Sequence, residues 1–122
     1  MIVGIGVDLV EIERLRQALE RHPRLRRRLF APDELESARG PGEIASLAAR
    51  FAAKEAARKA VGEGAGRTGW QDARVLGGHG GPPRLELQGA LLDLARAGGA
   101  ARWHLSLAHE REYALAMVVI ET

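Results

Sequence analysis

EIASLAARFAAKEAARKAV, residues 43–61, is the stretch on which the fold turns. Alanine stands at 48, 49, 52, 53, 56, 57 and 60, and no residue in the run breaks a helix, so a long helix is predicted over Glu43–Val61. Gly-Pro-Gly at 40–42 interrupts the chain before it, and Gly62 is placed to act as a left-handed C-terminal cap. A helix whose flank is mostly methyl groups can lie very close to a sheet, which would bring Glu55 near whatever a strand presents. Glu55 and Lys59 stand four apart, in the favourable order for an ion pair worth about 0.2–0.5 kcal/mol. Spacing alone makes that surface pair the simpler reading of the two side chains, with chemistry as the alternative.

Outward from this helix, the pattern alternates between short strands and short helices. IVGIGVD (2–8) reads as a buried strand with Asp8 at its carboxyl end. Ile12, Leu15 and Leu19 recur at helical spacing from Val10 to about Arg21, where His22 and Pro23 stop the run. A short helical piece reaches Leu29 and Phe30, and Pro32 opens another through Ala38. On the other side, WQDARVL (70–76) and RLELQ (84–88) alternate like strands around the turn-rich GGHGGPP. ALLDLARA (90–97) is a short amphipathic helix, and WHLSLAH (103–109) and YALAMVVIE (113–121), three residues apart, form an antiparallel hairpin. This order predicts an α+β domain: a mainly antiparallel sheet packed against a long alanine-rich helix and shorter helices.

The chain has 122 residues, 46% of them hydrophobic, which suits one domain spanning 1–122. There is no cysteine, so disulfides and thiolate metal sites are excluded. MIVGIGVDLV lacks a basic leader and is cut by Asp8 well short of a membrane span, and a soluble cytoplasmic protein with no membrane contact is expected.

The net charge of +2 hides an uneven distribution: Arg14, Arg16, Arg21, Arg24, Arg26, Arg27 and Arg28 stand against the single acid Glu20. Such a patch would draw an anionic partner. RNA and an acidic protein are the two candidates, and a non-catalytic arginine-patch binding protein is the alternative to an enzyme. Only five aromatic residues occur and none interleaves with the arginines, which disfavours nucleic acid.

Among local motifs, GAGRTG (64–69) follows a helix and leads into a strand, the reverse of a dinucleotide-binding turn, and is set aside. His104 and His109 are five apart in a strand and face opposite ways, as do Ser106 and His109, so neither a histidine metal site nor a serine nucleophile follows. His22 and His79 lie beside turn residues. Asp8 and Glu55 remain: two oxygen donors suit Mg²⁺, which keeps other positions for water and substrate phosphate.

GIGVDLVEIERL (4–15), RFAAKEAARKAVGEG (50–64) and HLSLAHEREYALAMVVIE (104–121) closely resemble segments of the bacterial holo-[acyl-carrier-protein] synthases, which are small 4'-phosphopantetheinyl transferases. RLFAPDEL (28–35) and GWQDARV (69–75) fit between them in order. The resemblance implies the 4'-phosphopantetheinyl transferase fold and transfer of phosphopantetheine from coenzyme A to a serine of apo acyl carrier protein, releasing adenosine 3',5'-bisphosphate. It implies that Asp8 and Glu55 hold Mg²⁺ against the pyrophosphate, that Lys59 adds a cation there, and that these three form the catalytic set. Glu55, Asp8 and a water on the metal are all candidates for the base. Arg50 and His109, with Gly62, Gly64 and Ser106 behind them, are implied to hold the nucleotide. Arg14, Arg21 and Arg24 match the family's docking surface for the acidic carrier, and the family's homotrimer with sites at subunit interfaces is implied too. The chain departs from the family pattern at Pro82 and Ala108, where a basic residue and a hydroxyl residue are usual, and in its short 40–43 connection.

Overall fold

The computed structural model describes residues 1–78 and 80–122; the turn reading of His79 lies outside the described residues. Among the described residues, five strands and five α-helices follow in the order β1 Ile2–Glu11, α1 Ile12–Arg21, α2 Leu25–Leu29, α3 Pro32–Ala38, α4 Glu43–Val61, β2 Ala73–Leu76, β3 Arg84–Leu87, α5 Gly89–Ala97, β4 Arg102–Glu110 and β5 Tyr113–Glu121, with two 3₁₀ turns, Ala65–Arg67 and Trp70–Asp72, between α4 and β2. β1, β5 and β4 form an antiparallel sheet in that spatial order, and β2 and β3 form a separate antiparallel pair. The α+β architecture with an antiparallel sheet is therefore as expected.

The predicted helix spans Glu43–Val61 and packs along β1 and β5. Ala52, Ala53, Ala56 and Ala57 are buried to 1% or less. Their small volume is matched on the strand by Gly4 and Gly6. A Cβ added to Gly4 would lie 2.0 Å from the Ala60 carbonyl oxygen, and one added to Gly6 would lie 1.8 Å from that of Ala56. The helix backbone thus rests directly on the strand backbone. Beneath it, Ala116, Val118 and Ile120 of β5 close one part of the core. A second cluster around Leu15, Leu29, Phe30, Leu47 and Ala114 holds the short helices, and Val10 and Leu107 pack against both.

A buried ion pair ties the layers together. Lys54 Nζ donates to Glu34 Oε1 at 2.7 Å and to the Ala73 carbonyl, while Glu34 accepts from the Ala31 and Val75 amides at 3.0 Å each. Burial pulls the Lys54 ammonium below the ordinary lysine value, and Glu34 offsets part of that. One contact therefore joins α3, α4 and β2.

Several boundaries differ from the sequence reading. β1 continues to Glu11 and α1 begins only at Ile12, because Val10 pairs with Ala114 in the ladder. The strand is not buried: Ile5, Val7 and Leu9 are 58%, 48% and 60% exposed. α4 covers one face of the sheet, and a period of two sends these side chains to the other. Residues 70–72 form a 3₁₀ turn, leaving only Ala73–Leu76 as strand, and Gln88 falls outside β3. Gly62 does cap the C-terminus of α4, its amide donating to the Arg58 carbonyl, with the expected positive φ of 94° but with ψ −138°, outside the left-handed helical region. The β4–β5 connection is two residues rather than three, with Arg111 at φ 51°.

Candidate active site

Alternation along β1 decides where Asp8 points. It shares a face with Gly4 and Gly6, the face on which α4 lies, and is opposite Ala116, itself opposite Leu107. Being nearer the strand's end, Asp8 escapes the helix backbone and opens into a cleft of about 690 Å³. Glu55 and Lys59 line the same cleft from α4, one helical turn apart, and Arg14 lines it from α1. Four residues expected in the site are thus brought together by three elements.

Their pairing is not the one spacing favoured. Lys59 Nζ donates to Asp8 Oδ1 at 3.0 Å and to the Val7 carbonyl at 3.1 Å. Glu55 makes no hydrogen bond or ion pair among the described residues. The i,i+4 surface pair is absent because the lysine reaches across to the strand. No group of three His, Asp or Glu side chains gathers as a cage among the described residues. Two carboxylates at one cleft, one of them already neutralised by an ammonium, are nevertheless a donor set that fits Mg²⁺, an ion that takes one or two carboxylates and fills its shell with water and phosphate.

The rest of the cleft was not foreseen. Leu15, Leu25, Leu29, Phe51 and Trp70 supply an apolar wall, and Arg28 a second arginine. Trp70 is held by Phe51, ring centroids 5.3 Å apart, and by Arg58, whose guanidinium stacks 3.6 Å from its centroid. The available signal was an aromatic residue directly after a glycine loop and another inside the alanine-rich helix.

The other expected residues lie elsewhere. Arg50, 4% exposed, is turned beneath the β2–β3 connection, donating to Ser46 Oγ and to the Gly77 carbonyl, with a buried Nε that has no partner among the described residues. Burial lowers its proton affinity below the ordinary arginine value, with Glu34 opposing. His109 lines a different hollow of about 550 Å³ with Glu110, Arg111 and Tyr113. Ser106 sits in the row Val7–Met117–Ser106, on the sheet face away from α4. Gly62 and Gly64 follow α4 and do not line the cleft, and Arg24 lines a small neighbouring hollow with His22 and Arg28. Arg21 occupies the last position of α1.

Comparison with known proteins bears on this arrangement. A family model described as the 4'-phosphopantetheinyl transferase superfamily matches residues 4–118. The chain is similar to the holo-[acyl-carrier-protein] synthase of Pseudarthrobacter chlorophenolicus, 50% identical over 121 residues with 99% of each chain covered. That of Beutenbergia cavernae is 48% identical over 121 residues, again covering 99% of each. Among solved structures, the Neisseria meningitidis holo-[acyl-carrier-protein] synthase superposes with a TM-score of 0.84 at 32% identity over 100% of both chains. A Bacillus anthracis holo-(acyl-carrier-protein) synthase, in complex with CoA (3',5'-ADP), gives 0.80 at 33% identity over 100% of this chain and 98% of that one. Full-length similarity in sequence and in fold converges on one group, and the chain belongs to the holo-[acyl-carrier-protein] synthase family of the 4'-phosphopantetheinyl transferase superfamily.

Proposed function

We propose that this chain is a Mg²⁺-dependent holo-[acyl-carrier-protein] synthase that moves 4'-phosphopantetheine from coenzyme A to a serine of apo acyl carrier protein. The observation that carries this reading is the meeting of Asp8, Glu55 and Lys59 in one cleft whose rim bears Arg14 and Arg28. In the reaction the serine oxygen bonds to the β-phosphorus, the bond from that phosphorus to the bridging oxygen breaks, and adenosine 3',5'-bisphosphate leaves with the electron pair. Asp8 and Glu55 would hold Mg²⁺, which when bound supplies positive charge to the non-bridging oxygens and the leaving phosphate. Lys59 brings a second cation to the same anion, and its half-exposed stem lets it swing toward an arriving phosphate. Glu55, with no protein partner among the described residues, has carboxylate oxygen to spare for the serine proton. Arg14, with Arg21 and Arg24 nearby, presents positive charge to an acidic carrier while the Leu25, Leu29, Phe51 and Trp70 wall excludes water.

Residues 1–122 act as a single domain in this reading, supported by the two core clusters that share Val10 and Leu107. A homotrimer is proposed as well. Ile5, Val7, Leu9, Tyr113, Leu115 and Met117 form an exposed apolar face on β1 and β5, and Ser106 lies beside it. Ser106 stands outside the cleft of its own chain on this face, and a second copy packed here would give it a site to complete. No helix among the described residues is long and apolar enough to cross a membrane, which fits a cytoplasmic enzyme.

The test is direct. Incubation with coenzyme A, Mg²⁺ and apo acyl carrier protein should add one phosphopantetheine to the carrier, read by intact-mass spectrometry. A carrier of unchanged mass under all conditions would overturn the enzyme reading and favour a binding role for the arginine patch.

A further inference from the structure

The position expected for a metal already holds a cation of the protein's own. Lys59 Nζ lies 3.0 Å from Asp8 Oδ1, and a second hydrogen bond to the Val7 carbonyl at 3.1 Å fixes it there. The Asp8 side chain is 17% exposed while that of Lys59 is 54% exposed, so the carboxylate is the fixed member of the pair and the lysine the movable one. Glu55 is nearer to Lys59 along the helix, yet carries no ion pair among the described residues. A divalent ion shared by Asp8 and Glu55 meets an ammonium bonded to one of its two donors, and like charges at that range repel. Once displaced, the ammonium needs an anion: with Asp8 and Glu55 taken by the metal, the cleft's own lining leaves Glu11 beside the cationic Arg14 and Arg28, and an arriving pyrophosphate, carrying more than one negative charge, is the stronger acceptor.

We propose that Lys59 is a built-in occupant of Asp8 that the divalent ion must displace, and that its transfer from Asp8 to the pyrophosphate couples metal binding to coenzyme A binding. This rests on the reading of Asp8 and Glu55 as the metal's donors. Coenzyme A, by drawing Lys59 away, strengthens the metal's hold on Asp8, and by reciprocity the metal strengthens coenzyme A by the same factor.

Mn²⁺ titrations of the full-length protein, followed by electron paramagnetic resonance of the free ion with and without coenzyme A and with no carrier present, test the idea. Lys59→Met and Lys59→Gln should each bind Mn²⁺ alone roughly two- to fivefold more tightly than the native protein, the effect of removing one exposed ion pair. In both, coenzyme A should strengthen Mn²⁺ binding by a smaller factor than in the native protein, and thermal melts confirm that the variants are folded. Unchanged or weaker Mn²⁺ binding in the two variants, or an undiminished coenzyme A effect, would overturn the displacement model while leaving the metal reading intact. Native protein that takes up no Mn²⁺, or Asp8→Asn that binds it equally well, would overturn the metal reading and this inference with it.

Discussion

Lys54 and Glu55 are neighbours in sequence with opposite fates. The step of about 100° per helical residue sends Lys54 inward to Glu34, where it is fully buried, and Glu55 outward to the cleft. Removing Lys54 leaves Glu34 as an uncompensated buried charge, so Lys54→Met is expected to cost about 3–5 kcal/mol, measured by urea unfolding. The double variant Lys54→Met/Glu34→Leu should regain only part of that loss, because the Ala31 and Val75 amides and the Ala73 carbonyl lose their side-chain partners, and a single variant of native stability would show that the pair holds nothing together. Glu55→Gln should behave in the opposite way. Its side chain has no protein partner among the described residues, so stability should change by no more than about 0.5 kcal/mol while turnover of apo carrier collapses. Near-native turnover would remove Glu55 from the site. The burial of Lys54 was not read from the sequence, since helical phase is not fixed until something packs against one side.

At the scale of elements, the seating of α4 on β1 decides whether Asp8 and Glu55 can share an ion. Alanines on the helix and glycines on the strand are two halves of one contact, and both halves were legible as composition. A methyl at Gly6 would sit 1.8 Å from the Ala56 carbonyl oxygen, an atom of helix backbone that cannot step aside. Gly6→Ala should therefore force the two elements apart and cost at least the upper end of the ~1–3 kcal/mol typical of overpacking, read as a lowered urea midpoint. A midpoint unchanged from the native protein would mean that the close approach does not exist. The end of β1 was less legible. Val10 and Glu11 suit the first turn of a helix as well as a strand, and the ladder to Ala114 and Tyr113, more than a hundred residues away, settles the matter. Trp70 was likewise read as strand by alternation, whereas its ring is needed against Phe51 and Arg58.

The whole molecule leaves one sheet face uncovered, and this is where the largest disagreement with the sequence lies. Ile5, Val7 and Leu9 are β-branched or branched aliphatic side chains in a glycine-containing strand, a composition that signals burial without saying by what. Leu9→Asp should leave the isolated fold intact, because Leu9 is 60% exposed, but shift sedimentation toward a monomer if copies pack on this face. Unchanged sedimentation would place any assembly elsewhere. The amino-acid sequence by itself determined the element order, the alanine helix, the pair of carboxylates and the family, because these depend on local periodicity and on motifs that are contiguous in the chain. Tertiary structure alone decided that Lys59 pairs with Asp8 rather than Glu55, that Arg50 is buried under a loop, and that Ser106 and His109 stand apart from the cleft. Those outcomes turn on which face of each element meets its neighbour, and that is set by contacts between residues far apart in sequence.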